Sequence, residues 1–304
     1  MGTKFDIVAV YSSVDSCKRI MYYAFKEVER IEHVMSSATE TSEIHLINQN
    51  AGGKRVKVSF ETFSIIRRSV DYSKQYGGLF DISIGPISEL WGFNSEHPVT
   101  KVPDEKIIDS LVKLVDYKEI TLDESDTSVF LRKPQMNLDL GGIAKGYAID
   151  RAAMILREKG IRNFMVNGGG DVYVSGYKQD STRWVIGIEH PRDKNRIIGR
   201  LELTDFALGT SGDYERYAFL DGKRYHHIFD PRTGFPAPLS QSSSAIASTA
   251  EEAVVLSKYL FIIGTNGYKE ILDKSPIKGV IVDSSGKIFY DRRLEMESNF
   301  QLIN

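Results

Sequence analysis

The stretch MNLDLGGIAKGYAID, residues 136–150, sets two adjacent glycines and a lysine at the threshold of an apolar period. Gly141 and Gly142 carry no Cβ, so backbone there can approach a ligand closely. From 144 to 157 the apolar residues recur at helical spacing and run towards Gly160, which predicts a helix. Free amides at such a helix start hold phosphate or carboxylate, and Lys145 adds a full positive charge. The spacing matches neither the Walker loop nor the dinucleotide fingerprint. A glycine turn before a helix serves packing in the commoner case.

Outward from this stretch the chain alternates without a regular strand–helix–strand rhythm. Before it, KEITLDESDTSVFLRK reads as two short strands around a polar turn. Ile20, Tyr23, Ala24, Val28, Ile31 and Val34 mark a helix with one buried face, and a second helix runs from about Thr62 to Gln75, ahead of Gly77 and Gly78. Residues 106–115 and 249–263 have helical spacing as well. In FDISIGPISELWGF, residues 80–93, Phe80, Ile82 and Ile84 fall on one strand face. Further strands are expected in NFMVNGGGDVYVSG, RWVIGIEHP and GRLELTDFALGTSG, and Asp221-Gly222 between two aromatic-rich runs predicts a hairpin. The pattern is α+β: a single compact layered domain over 1–304, with a mixed sheet and flanking helices.

Composition narrows the function classes. The 304 residues carry a formal charge of −2, so no global basic field exists to hold nucleic acid. Apolar runs such as YLFII at 259–263 fall far short of the ~18–20 residues that span a bilayer. A single cysteine, Cys17, excludes an intrachain disulfide and a multi-cysteine metal site. The chain opens with no basic segment and apolar core of a leader, so it reads as cytoplasmic unless a targeting segment precedes it.

Two further clusters carry chemistry. VNGGGDVYVSG at 166–176 strings three glycines onto the end of an apolar strand, where a bulge or tight turn is the plain alternative to a ligand loop. Residues 209–238 gather Ser211, Asp213, Arg216, His226, His227, Asp230, Arg232 and Thr233 among turn-forming Gly and Pro. Period-two alternation sends His226 and His227 to opposite faces, so only one of them joins a site. Asp230-Pro-Arg-Thr-Gly is a turn by its chemistry, and spacing alone leaves function and structure even there. Trp91 and Phe93 suit stacking on a flat ring, although core packing is the commoner fate of such aromatics.

Taken together, MSSATETSEIHLIN, FDISIGPISELWGF, NLDLGGIAKGYAID, VNGGGDVYVSG, RWVIGIEHP, SGDYERYAFLDGKRYHHIFDPRTGFPA and STAEEAVVLS, with the opening MGTKF, resemble the ApbE family of FAD:protein FMN transferases over residues 1 to about 275. The resemblance implies a T-fold-like core and a protein that binds FAD and, with Mg²⁺, transfers its FMN half to a Thr or Ser hydroxyl of an acceptor protein, releasing AMP. Relatives that instead hydrolyse FAD supply an alternative. Carried over by position, Asp139, Gly142, Lys145 and Asp150 fall in the FAD-binding loop and helix. Ser211 and Asp213 fall beside the pyrophosphate, and Asp230 in the turn after them. His227, which directly precedes IFDPRTG, is implied as a catalytic residue that accepts a hydroxyl proton or pairs with a phosphate oxygen, with Asp213 the second catalytic residue. Glu43 and Asn48 match an element near the ligand, and Trp91 is expected to line the flavin pocket. The resemblance also implies an exported or envelope location, periplasmic or lipoprotein, with an export signal upstream of Met1.

One departure stands out. The late helix of the family carries Asp and Thr four residues apart as magnesium ligands, and here these positions are Val254 and Lys258. Hard Mg²⁺ takes oxygen ligands, which neither side chain offers. The metal ligands are therefore unassigned, the expected activity is impaired, and a non-catalytic flavin-binding or flavin-sensing protein is the second reading.

Overall fold

A computed structural model describes residues 3–93, 99–272 and 275–303, so Met1 and Gly2 of the matching MGTKF opening lie outside it. The chain forms two compact units: Met1–Ile31, Lys145–Gly212 and Leu239–Asn304 in the first, Glu32–Ala144 and Asp213–Pro238 in the second.

The first unit is built on a seven-stranded sheet, in the order Phe5–Val10, Asn163–Gly168, Asp171–Ser175, Phe206–Gly212, Ser240–Ala247, Lys278–Asp283 and Ile288–Tyr290. The α+β class stands, but every named strand pair is antiparallel where a mixed sheet was expected. Short connections explain part of this, since hairpin turns cannot make parallel neighbours. In VNGGGDVYVSG the alternative of a tight turn is the one realised: Gly168 pairs with Asp171, and Gly169 and Gly170 turn the chain at φ of 63° and 92°, a left-handed pair that glycine adopts without strain.

Across this sheet lies the helix Ala250–Ile271, broken by a non-helical Gly264. Thr249 caps its start by accepting the amide of Glu252. Two strand hydroxyls reach its main chain: Ser243 Oγ donates to the carbonyl of Ser257 at 2.6 Å, and Ser240 Oγ to that of Phe261 at 2.9 Å. A Cβ at Gly209 would lie 2.4 Å from the carbonyl of Ala253, so helix and strand touch at backbone distance. A smaller sheet, Trp184–His190, Asp193–Leu203 and Gln301–Leu302, encloses a core of Val174, Trp184, Leu201 and Val280. The strand signal in GRLELTDFALGTSG is realised in two strands, Asp193–Leu203 and Phe206–Gly212, with Asp205 between them at φ of 56°.

The second unit holds the helices Glu43–Gln49, Phe60–Gln75, Gly85–Trp91 and Glu105–Val112, a three-stranded sheet and a hairpin. Ser42, Ser59 and Asp104 cap three of these helices through their side chains. The strand face expected from Phe80, Ile82 and Ile84 is absent. The buried carboxylate of Asp81 bends that segment by accepting the amide and hydroxyl of Ser83 and the amide of Tyr117, and Pro86 then starts a helix. Burial pushes the Asp81 carboxyl above its usual range.

The predicted hairpin forms between Tyr217–Leu220 and Lys223–His226, with Asp221 and Gly222 at φ of 50° and 75°. Its inner face, Ala218, Leu220 and Tyr225, packs into a cluster centred on Trp91, Ile87 and Ile108.

Candidate functional site

In the second unit the opening stretch is shaped by its own side chains. Asp139 Oδ1 accepts the amide of Gly141 at 2.8 Å, and a Cβ on Gly141 would fall 2.9 Å from that oxygen. A side chain at 141 would therefore make the Asp139 carboxylate shift and disturb this bond. Leu140 O accepts the amides of Ile143 and Ala144, closing the turn that precedes the helix. Asn48 holds the approach to this loop from the side: its Oδ1 accepts the amide of Leu138 at 2.7 Å while its Nδ2 donates to Leu138 O and Asn137 Oδ1. Gly142 lies within the turn. Glu43 sits elsewhere, gripping the amide and hydroxyl of Ser59 at 2.7 Å each and so tying two helix starts together.

Trp91 is a correction. Rather than lining a pocket it is 0% exposed, with Nε1 donating to Gly234 O at 2.9 Å. Phe93, Tyr225, Phe229 and Phe235 surround its ring at centroid distances of 5.3–6.2 Å. Five aromatic rings satisfy one another there, and the indole N–H is already spent.

The two histidines separate as period two predicts. His226 is buried; Nε2 contacts Ala237 O at 3.1 Å and Nδ1 accepts the amide of Ile228 at 3.3 Å. His227 is half-buried, and its Nδ1 lies 3.3 Å from Arg216 O, which also accepts the His227 amide. A carbonyl only accepts, so this contact places the ring proton on Nδ1. Asp213 is buried, and Arg224 Nη1 stands 3.7 Å from its Oδ1. Asp230 is spent on its own turn: it receives the Arg232 amide and guanidinium, which in turn holds Arg232 protonated above its ordinary range.

In the first unit, Lys145 Nζ pairs with buried Asp171 Oδ2 at 2.5 Å, and Asp171 Oδ1 accepts the Thr210 amide at 2.8 Å. Sequence reasoning missed Asp171; its signal was an acidic residue closing a glycine run at a strand start. Asp150 receives the amides of Ala250 at 2.8 Å and Glu251 at 2.9 Å, so it caps the helix Ala250–Ile271. Ser211 Oγ is 2.9 Å from Ser257 Oγ, whose hydroxyl also donates to Val254 O.

Val254 is 1% exposed and Lys258 is half-buried on the same helix. An aliphatic side chain and an ammonium do not make a donor set for Mg²⁺, so the metal implied by the family does not fit these two positions. Among the described residues, no helix is long and apolar enough to cross a membrane.

This architecture is shared with known proteins. Residues 1–281 match the model of the ApbE family, and the chain belongs to that family. It is 33% identical over 290 residues to an FAD:protein FMN transferase of Klebsiella pneumoniae, covering 92% of this chain and 89% of that one. A second FAD:protein FMN transferase, from Treponema pallidum, is 29% identical over 84% of this chain and 75% of its own length. Among solved structures, the ApbE protein of Thermotoga maritima superposes with a TM-score of 0.91 at 35% identity, covering 97% of this chain and 96% of that one. The flavin transferase ApbE of Vibrio cholerae gives 0.86 at 26% identity, with the same coverage.

Proposed function

We propose that this protein binds FAD and transfers its FMN half to a Thr or Ser hydroxyl of an acceptor protein, with release of AMP. The observation that carries the reading is the near full-length likeness to proteins named FAD:protein FMN transferase. The contrast between the histidines supports it, because both ring nitrogens of buried His226 meet the main chain while half-buried His227 is oriented through Nδ1 on Arg216 O.

In the reaction, the acceptor oxygen forms a bond to the phosphorus of the FMN half, the bond from that phosphorus to the AMP oxygen breaks, and the hydroxyl proton passes to His227 Nε2. Such displacements depend on positioning and on neutralising the phosphate charge. Water in place of the acceptor gives FMN and AMP, the pyrophosphatase outcome.

The pair Val254 and Lys258 favours a second reading, a slow enzyme or a flavin-binding protein without turnover. One ammonium supplies positive charge near the pyrophosphate but no octahedral template for attack. An exported location belongs to the same reading, since it rests on the family likeness; fractionation of cells with an antibody tests it.

Titration with FAD, followed by flavin fluorescence, tests the binding. Absence of saturation at tens of micromolar, roughly 6–7 kcal/mol, rejects the proposal. AMP release and a peptide mass increase by FMN less one water with an acceptor peptide separate transfer from hydrolysis and from binding alone.

A further inference from the structure

We infer that Arg224 is a positioning residue, and that the hairpin of residues 217–226 is a clamp that fixes Asp213 and His227 together. The inference rests on the proposed FAD chemistry for its purpose, and on the hairpin geometry for its substance.

The two faces of the hairpin differ. Inward, Ala218, Leu220 and Tyr225 are locked into the Trp91 cluster. Outward, the rings of Tyr217 and Phe219 meet edge to face at 5.7 Å, and Phe219 is 62% exposed. Arg224, directly across the ladder from Phe219, accounts for them. Its guanidinium carbon lies 4.1 Å from the Tyr217 ring centroid and 5.1 Å from that of Phe219. The two rings hold the guanidinium by cation–π attraction and shape.

Held in this way, Arg224 Nη1 reaches back to Asp213 at both ends of the residue, 3.7 Å from Oδ1 and 3.5 Å from the main-chain carbonyl. The side chain of Asp213 is buried, so the pair is shielded from solvent far more than a surface ion pair. The same hairpin fixes His227. That residue follows the second strand directly, and both its amide and Nδ1 meet the carbonyl of Arg216, the residue before the first strand. One rigid two-stranded element therefore sets the carboxylate through a side chain and the imidazole through a main-chain carbonyl. A lysine at 224 keeps the charge but lacks the planar face that the two rings hold.

The experiment compares wild type with Arg224→Gln, Arg224→Lys and Phe219→Ser, a surface change that leaves Arg224 in place but removes one ring. Three quantities are read on the full chain: FAD affinity, single-turnover AMP release with an acceptor peptide at saturating FAD, and amide hydrogen exchange without ligand. For Arg224→Gln the expected result is FAD affinity within about threefold of wild type, AMP release slower by about tenfold or more, and faster exchange at 213–216 and 227. Arg224→Lys and Phe219→Ser fall between. Wild-type AMP release and exchange in Arg224→Gln overturn the inference. So does an equal loss of affinity and rate, which makes Arg224 a ligand contact or a general prop. If wild type binds FAD but releases no AMP, the transferase reading fails on its own. Exchange then decides: acceleration near Asp213 and His227 upholds the clamp, and its absence overturns it.

Discussion

Asp150 and Ala250 are joined by a 2.8 Å hydrogen bond from the Ala250 amide to a carboxylate oxygen, and the other oxygen takes the Glu251 amide. A carboxylate from a neighbouring helix thus completes a helix start that Thr249 caps from within the chain. The charge also opposes the positive end of the helix dipole. Asp150→Ala is expected to lower stability by about 1–2 kcal/mol, and Asp150→Asn by less, since the amide oxygen still accepts one bond. Urea unfolding of the three proteins checks the order.

Trp91→Ala is expected to cost about 3–5 kcal/mol, because it empties the centre of an aromatic cluster. Trp91→Phe keeps most of the packing and loses the bond to Gly234 O. As Trp91 is fully buried, FAD affinity in Trp91→Phe should stay within about threefold of wild type, against the sequence expectation of a flavin contact. Fluorescence titration beside an unfolding curve reads both effects.

Glu27 links two helices of the first unit, and bonds from Arg30, with Arg151 in support against the opposing effect of burial, lower its carboxyl from 4.5 to about 2. A depressed folded value stabilises the protein at pH above the unfolded value, and that contribution is lost as pH falls through the folded one. The stability gap between wild type and Glu27→Gln should therefore be full at neutral pH, begin to close near the unfolded value and vanish below about 2. Unfolding midpoints at stepped pH would expose a gap that stays constant, which contradicts the assignment.

Magnesium offers a readout independent of turnover. Val254→Asp with Lys258→Thr places two oxygen donors four residues apart on one helix face. Without metal the double variant should be less stable than wild type, because a carboxylate replaces a buried valine. Added Mg²⁺ should raise its melting temperature and leave wild type unmoved. Val254→Asp alone should respond less, as its carboxylate pairs with Lys258. An equal shift in wild type rejects the idea that these positions decide metal binding.

Local signals proved legible where one physical cause acts alone. The period from Ile20 to Val34 became the helix Val14–Met35, and Asp221-Gly222 became a hairpin turn. The DLGG stretch does precede a helix, Ala144–Glu158. Sequence failed where a side chain works at long range. Nothing local in FDISIGP shows that Asp81 will bond Tyr117 and break the strand pattern, or that Asp171 will pair with Lys145. Trp91 and Asp150 read as ligand contacts, and nothing local shows that each also bonds a partner within the protein, 143 and 100 residues away in the chain. The strand Ser240–Ala247 went unread because its serines, buried by bonding a helix, look like a loop by composition.

Those serines bring a consequence for how the chain tolerates change. Ser243 and Ser240 engage the carbonyls of residues 257 and 261, one helical turn apart, while Gly209 admits the backbone at 253. The helix is therefore indexed against the sheet by its main chain. Inserting one residue between 253 and 257 would rotate the remainder of the helix by about 100° and strand two buried hydroxyls. Exchanging the side chain at 254 or 258 disturbs neither bond. Length is fixed by geometry while the side chains at those two positions are left open to point substitution, with the helix itself staying in place.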